Sequence, residues 1–560
     1  MKKKLVTLML ATCMVMGCLV GCGNTEQTNE STSKVESKED AGKQESSAEV
    51  SSEAEEVIEN FNKEGYPIVN EEITLKILYG AREAENVPDP DELEIDAYLE
   101  ELTGIKTEWE LVWKNDWETK VNLMFASGEY PDLIIGPQTP VDYEEYGVTQ
   151  QILIPLDDLI EKYMPNYTSR AAAQAFDPTL ALIASDGQKY ALGNRNGGGN
   201  TSDSGCFVIN REWLDALGLE TPSTIEELTD VLRAFKTQDP NGNGEADEIP
   251  LMTTTEAGFN QTYGLWTYMQ LFGLPVNGKD WLRITDDEQI EFIPTTDEYR
   301  EGLEWFHTLY EENLLDPEMF SMDVNTIKAK LNTGTAGFSA AYRIETMGLG
   351  DVWTNQSELW VPDSEKIKIR RAVDLASPSV YVTKSNEHVE ATMRFLDAML
   401  DTEIMWTFFY GPKDAEVKGW HYEDGKVKNH NNDPKSIVVL PCLDVNAFIF
   451  APSVYYNENV VQPAYNIEKF EINAIYEEAG LLDENAYNLL NLVVLSSDQN
   501  QEITLLKSEM DSTVLEYTAK FIKEGVTDDS WNAYVAIFKD MGAEKYVQMY
   551  QEGYDNLSLE

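Results

Sequence analysis

The run DPNGNGEADEIP, from Asp239 to Pro250, gathers the oxygen chemistry that a hard cation requires. Asp239, Asn241 and Asn243 alternate with Pro and Gly, Gly244 supplies a sharp turn, and Asp247 and Glu248 follow. Calcium takes six to eight oxygen ligands, and alternation lets one short loop curl them around a point. The first six residues match the start of an EF-hand loop, with Gly244 at the obligatory turn. The match then fails, because the twelfth position is Pro250 and not a bidentate glutamate. The repair expected from the chemistry is that Asp247 or Glu248 closes the shell early, with the Glu245 carbonyl contributing. The same residues also form ordinary polar turns without a metal. Magnesium fits less well, since it demands a tighter octahedron and keeps several waters.

The chain around this loop has 560 residues, enough for two or more domains. A hydrophobic share of 42%, with 12 Trp, 27 Tyr and 19 Phe, is that of a folded protein. Lys and Arg number 42 against 100 Asp and Glu, a formal charge of −58. Such a field repels nucleic acid and anionic lipid, so no nucleic-acid partner is expected. Of five cysteines, three (Cys13, Cys18, Cys22) lie near the start. Cys206 and Cys442 either form one disulfide or remain two buried thiols. Four histidines and no Cys/His cluster leave no zinc site.

Lys2, Lys3 and Lys4 precede an apolar run from Leu5 to Val20, the layout of a secretory signal peptide over residues 1–21. It is too short to favour a stable membrane span. Its end, Leu19-Val20-Gly21-Cys22, resembles the lipobox of bacterial lipoproteins, which implies lipid on the Cys22 thiol and a membrane-anchored, extracytoplasmic protein. The alternative is ordinary signal cleavage. Residues 22–60 are Ser, Glu, Lys, Thr and Gln with few apolar partners, expected as a disordered tether. A coil of that length reaches on the order of 30 Å.

The folded body is expected from near Glu72. Ile73, Leu75 and Ile77 alternate as in a strand closed by Gly80. A helix from about Pro90 to Thr103, a strand through Trp109 to Val112, and a helix over Asn115–Ala126 follow. That last helix presents Trp117, Val121, Met124 and Phe125 on one face. Leu133–Ile135 reads as a short buried strand. Strands alternating with helices argue for an α/β layer with mainly parallel strands. The glycine-rich Gly193 to Asn200 matches no phosphate-binding fingerprint, and reads as a connection or a ligand-facing loop. A strand at Phe207–Asn210 and a short helix around Trp213 to Leu217 lead to Pro222-Ser223-Thr224. These cap a helix whose stripe is Ile225, Leu228, Val231, Leu232 and Phe235, running straight into the Asp239 loop.

VINREWLDALGLETPSTIEELTDVLRAFKTQDPNGNGEADEIPLM (Val208 to Met252) resembles the extracellular solute-binding proteins, family 1, of bacterial ABC importers. It is similar in particular to the large lipoprotein branch that binds oligosaccharides and carries a structural calcium loop. NLMFASGEYPDLI (Asn122 to Ile134), GTAGFSAAYR (Gly334 to Arg343) and EATMRFLDAML (Glu390 to Leu400) agree in order. YGPKDAEVKGWHYEDGK (Tyr410 to Lys426) is similar to the family's late turn, with extra residues.

The resemblance implies a two-lobed, periplasmic-binding-protein-like α/β fold of type II, with a ligand cleft between lobes joined by two or three crossing segments. Lobe one would hold 72–194 plus 372–411, and lobe two 201–362 plus 440–555. It carries the calcium ligands onto Asp239, Asn241, Asn243, the Glu245 carbonyl, Asp247 and Glu248. It implies an oligosaccharide ligand, permease subunits as partners, a monomer, and no enzymatic activity. Trp266, Tyr342, Arg343, Asn194 and Arg195 are the ligand contacts it suggests, with Trp353, Trp360 and Tyr455 next. Trp305, Tyr310 and Leu314, at helical spacing, are expected in the core. Asp116, Asp132 and Asp323 mark out no catalytic pair. Two other readings share parts of this pattern: a secreted glycan hydrolase using two carboxylates, and the ligand-binding subunit of a membrane sensor.

Overall fold

The computed structural model describes residues 58–557, apart from 82–93, 137–140, 173–176, 196–205, 256–262, 276–280, 342–356, 371–374, 412, 415–418, 430–471, 473, 484 and 486. Nine strands form the two main sheets: β1 (Ile73–Ala81), β2 (Ile105–Trp113), β3 (Leu133–Ile135), β4 (Leu192–Arg195), β5 (Cys206–Asn210), β6 (Ile249–Met252), β7 (Ala336–Ala341), β8 (Ser357–Leu359) and β9 (Ala376–Val382). The first sheet runs β2-β1-β3-β9-β4. Its β1, β2 and β3 are parallel, and β9 lies antiparallel between β3 and β4. The second sheet runs β8-β5-β7-β6, with β5 antiparallel to both neighbours and β6 parallel to β7.

Parallel strands need crossovers, and the apolar periods supply them. Helix α1 (Glu94–Thr103) joins β1 to β2, and α2 (Lys114–Ser127) joins β2 to β3. In α2 the predicted face is the buried one: Trp117, Val121, Met124 and Phe125 are all at most 7% exposed. The helix stops at Gly128, which takes the left-handed conformation (φ 78°). Asn210 caps α3 (Arg211–Leu217), its Oδ1 accepting from the Trp213 N–H at 3.1 Å. Thr224 does the same for α4 (Ile225–Thr237), accepting from Glu227 at 3.1 Å.

The two faces of the first sheet carry separate apolar layers. Leu75, Ile77, Leu133, Ile135, Val380 and Val382 point to one face, and Leu78, Ile134 and Tyr381 to the other. The second sheet, α5 (Asp297–Glu311) and the carboxyl-terminal helices α6 (Ser497–Glu524), α7 (Asp528–Met541) and α8 (Ala543–Asp555) share one further core. Among the described residues, no buried side chain belongs to the cores of both sheets.

The folded chain begins before the first strand. Ile68 and Val69 are buried, and their N–H groups both donate to the Thr103 carbonyl, at 2.8 and 3.2 Å. Arg394 donates to the carbonyls of Asn62 (2.7 Å) and Gly65 (3.0 Å), holding the segment down. A hydrogen bond to a charged group contributes about 1.5–3 kcal/mol when well shielded, and less where half exposed. Arg394→Ala is expected to speed amide exchange at Asn62 and Ile68 by roughly tenfold, the equivalent of ~1.4 kcal/mol of local opening. Exchange in β1 and β3 should stay unchanged, read by hydrogen–deuterium exchange mass spectrometry.

Candidate functional site

In open α/β sheets ligands bind outside the carboxyl ends of the strands. In the first sheet those ends are Ala81, Trp113, Ile135 and Arg195, with Ala376 opening the antiparallel β9 beside Arg195. In the second they are Met252 and Ala341, with Cys206 paired to Ala341. Among the described residues the chain changes from one sheet's body to the other after β4, between β8 and β9, and between residue 411 and Ile472. Asn194 and Arg195 therefore close β4 at a crossing, in register with Ser377 and Ala376. Their side chains lie outside the described residues, as do Tyr342, Arg343, Trp353, Tyr455 and the Cys442 partner considered for Cys206.

Trp266 is elsewhere. It is 2% exposed in the core of the second sheet, stacked on Tyr299 (centroids 6.3 Å, interplanar 4°) and edge-on to Trp281 at 4.8 Å. A ring that is 2% exposed among Tyr299 and Trp281 packs in this core. Trp360 is likewise fully buried, its indole N–H donating to the Pro222 carbonyl at 2.8 Å. Leu314 is buried, and Trp305 and Tyr310 pack against the same core, as their helical spacing suggests.

A cavity of about 160 Å³ lies where the two halves of the molecule meet. Tyr143, Glu144, Leu180, Ala181 and Ile183 line it from the first sheet's side, and residues 491–495 with Asn500 from the other side. The one-turn helix Pro178–Leu182 sets Leu182 over Gly193, where a Cβ would come within 3.1 Å of the Leu182 Cδ1 and within 2.4 Å of the Ala376 methyl on the neighbouring strand. Glu144 is 8% exposed, and its two oxygens accept from the Ser185 N–H and hydroxyl, both at 2.7 Å. Burial, followed by the Glu144 and Asp142 charges, pushes the Tyr143 hydroxyl up to about 12, so it stays a neutral donor and acceptor at working pH. Sequence reasoning missed this set. Its members lie hundreds of positions apart, and no local pattern links them.

The Asp239 loop follows directly on α4. Asp239 adopts φ 46°, and its oxygens accept from the Asn243 and Gly244 N–H groups, both at 3.1 Å. Asn241 Oδ1 accepts from Asn243 N (3.0 Å), and Asn243 Oδ1 from Glu245 N (2.7 Å). Both Asn side chains donate to Asp247 Oδ1 at 3.1 Å. Glu248 is 2% exposed, and its Oε1 is buried without a hydrogen-bond partner. Leaving a buried acceptor unsatisfied costs about 1–3 kcal/mol. Among the described residues no three His, Cys, Asp or Glu side chains gather as a metal cluster, so the loop's acids are not already drawn to one point. Its donor set is hard oxygen throughout, placed at the negative end of a helix dipole, which favours a cation.

The strand order, the antiparallel return strand and the paired sheets define the two-lobed, type II periplasmic-binding fold. A family model for bacterial extracellular solute-binding proteins matches residues 84–406, and the chain belongs to that family. Among its relatives is the fructooligosaccharide ABC transporter substrate-binding protein FusA of Streptococcus pneumoniae serotype 4, 27% identical over 83% of this chain and 87% of FusA. Lipoprotein LipO of Bacillus subtilis is 24% identical over 80% of this chain and 86% of LipO. The structure of FusA with kestose aligns at a TM-score of 0.70 with 23% identity, covering 86% of this chain and 99% of that one. An EF-hand mutant of FusA with fructo-nystose aligns at 0.68 with 23% identity, over the same shares. An extracellular solute-binding protein of Bifidobacterium longum subsp. infantis aligns at 0.74 with 20% identity, covering 86% and 98%. These likenesses show the fold.

Because Trp266 is a core ring, Trp266→Ala is expected to cost about 3–5 kcal/mol of folding stability. Chemical denaturation checks this, and a normal midpoint with lost ligand affinity would return the ring to the cleft.

Proposed function

We propose that this protein captures a neutral oligosaccharide outside the cytoplasmic membrane and delivers it to the permease of an ABC importer. The observation that carries the reading is family membership joined to the crossing geometry, which sets the carboxyl ends of two sheets on separate cores around one cleft. FusA, whose name gives fructooligosaccharides, supports the carbohydrate class. In this reading lobe one comprises 72–194 with 372–411 and lobe two 201–362 with 440–555, a division supported by the sheet membership of β1–β9. Tyr342, Arg343, Asn194 and Arg195 remain the proposed ligand contacts, because each borders a strand's carboxyl end. The lipoprotein LipO supports attachment through Cys22. The protein acts as a monomeric receptor and has no catalytic role. A thermal-shift screen against neutral oligosaccharides tests this. Ligand at a hundred times its Kd adds about 2.7 kcal/mol and raises the melting temperature. Chromatography of the recovered sugar should show it unchanged, whereas no shift with any sugar, or turnover, would overturn the reading.

Calcium belongs to the same proposal. The buried, unpartnered Glu248 Oε1 and the oxygens of Asp239, Asn241, Asn243 and Asp247, with the Glu245 carbonyl, fit a cation of six or more ligands. An EF-hand is named in the FusA structure. The ion's role is structural: it fixes the end of α4 to the start of β6. Chelation is expected to lower the melting temperature, and Asp239→Ala with Asp247→Ala to abolish that sensitivity. Equal melting with and without chelator in the wild type would count against the ion.

A further inference from the structure

The sequence holds four Asn-Gly pairs, at Asn196, Asn241, Asn243 and Asn277. Such a pair is chemically labile: the nitrogen of the following residue can attack the asparagine side-chain carbon, and glycine has no Cβ to obstruct the approach. Two of the four lie inside the Asp239 loop, and hydrogen bonding treats them differently. Asn243, Gly244 and Glu245 are exposed. The Gly244 N–H, whose proton the attack must remove, donates to a carboxylate oxygen, Asp239 Oδ2, at 3.1 Å. Asn243 Oδ1, where negative charge would gather, accepts from the Glu245 N–H at 2.7 Å. The Asn243 amide nitrogen, which must leave, donates to the two Asp247 oxygens at 3.1 and 3.3 Å. At Asn241 the corresponding Gly242 N–H donates instead to the Asp239 carbonyl at 3.1 Å, a neutral group that is no base. Asn241 is also half-buried.

A base, an oxyanion donor and an unhindered glycine nitrogen therefore meet at one asparagine. Resting on the calcium reading of this loop, we propose that Asn243 is a self-modification site, deamidated when the loop holds no cation and protected when it does. The Gly244 nitrogen bonds to Asn243 Cγ as its proton passes to Asp239 Oδ2. The Cγ–Nδ2 bond then breaks, the departing nitrogen takes that proton back through water, and ammonia leaves behind a cyclic imide. Water opens the ring at either carbonyl, which gives aspartate or isoaspartate at position 243 with no oxidant or reductant. Asp239 and Asn243 Oδ1 are also among the proposed cation ligands, so in the loaded loop the base is engaged and the amide held. Loss of the ion then starts an irreversible change, because isoaspartate routes an additional carbon through the main chain of the turn joining α4 to β6.

The test holds the full mature protein at physiological temperature and pH, with calcium or with chelator. Peptide mass spectrometry, with fragmentation that tells aspartate from isoaspartate, follows conversion at each asparagine. Chelation is expected to speed conversion at Asn243 by roughly tenfold, to act there ahead of Asn241, and to leave Asn277, outside the loop, unchanged. In chelator, Asp239→Asn keeps an acceptor but removes the base, and should slow conversion at Asn243 by roughly tenfold. Equal conversion of Asn243 with calcium and with chelator, conversion of Asn241 first, equal acceleration at Asn277, or a wild-type rate in Asp239→Asn overturns the site. Melting curves on the same samples separate the two readings. A calcium-dependent midpoint with calcium-independent conversion overturns the site and leaves the calcium reading standing, whereas equal midpoints overturn the calcium reading and the protection with it.

Discussion

Strand β9 is hydrogen-bonded on both edges, with Val380 in register with Ile135 on one side and Leu192 on the other. It arrives from the second sheet, after β5 to β8 in the chain, and is inserted antiparallel between two strands whose residues paired with Val380, Leu192 and Ile135, lie 188 and 245 positions earlier. The first sheet is therefore completed by a segment that follows the second sheet's strands in the chain. Both apolar layers of the first sheet draw on β9, through Val380 and Val382 on one face and Tyr381 on the other. Yet the two sheets keep separate cores, because few segments cross and their described buried side chains commit to one side. Among the described residues the two bodies share chain but no buried core side chain, an arrangement of the kind in which hinge closure moves packed units about a few connecting segments.

The Asp239 loop solves a local problem in the second lobe. Helix α4 ends where the chain must turn into β6, with Lys236 donating to the Glu248 carbonyl at 3.0 Å across the turn. The loop side chains satisfy one another and the backbone, except Glu248 Oε1. The polar turn is self-consistent in its amides and incomplete in its acid, and the incompleteness faces inward.

Much of this was legible because the signals are local. The stripe from Trp117 to Phe125, the Thr224 cap, the alternation of Ile73, Leu75 and Ile77, and the short Leu133–Ile135 run each need only neighbouring residues, and each lies in the element read from it. The segment from Asn62 to Val69 was not read as folded, because what buries it is Thr103 and Arg394, remote in sequence. Trp266 shows the same limit from the other side. Whether an aromatic ring faces a cleft or a core depends on Tyr299 and Trp281, and the sequence around position 266 carries no trace of either. The cavity at Tyr143 and Asn491 is the extreme case, since it exists only where two lobes meet.

The clamp formed by Arg394 and Thr103 on residues 62–69 has a mechanical meaning. Any tension applied through the amino-terminal end of the folded chain is delivered to the helices backing the first sheet, at a point stitched by hydrogen bonds loaded in parallel. The three carboxyl-terminal helices are fastened to the other core. A pull from the leading end is thus delivered first to the body built on the first sheet, through Asn62 and Gly65 to Arg394 and through Ile68 and Val69 to Thr103.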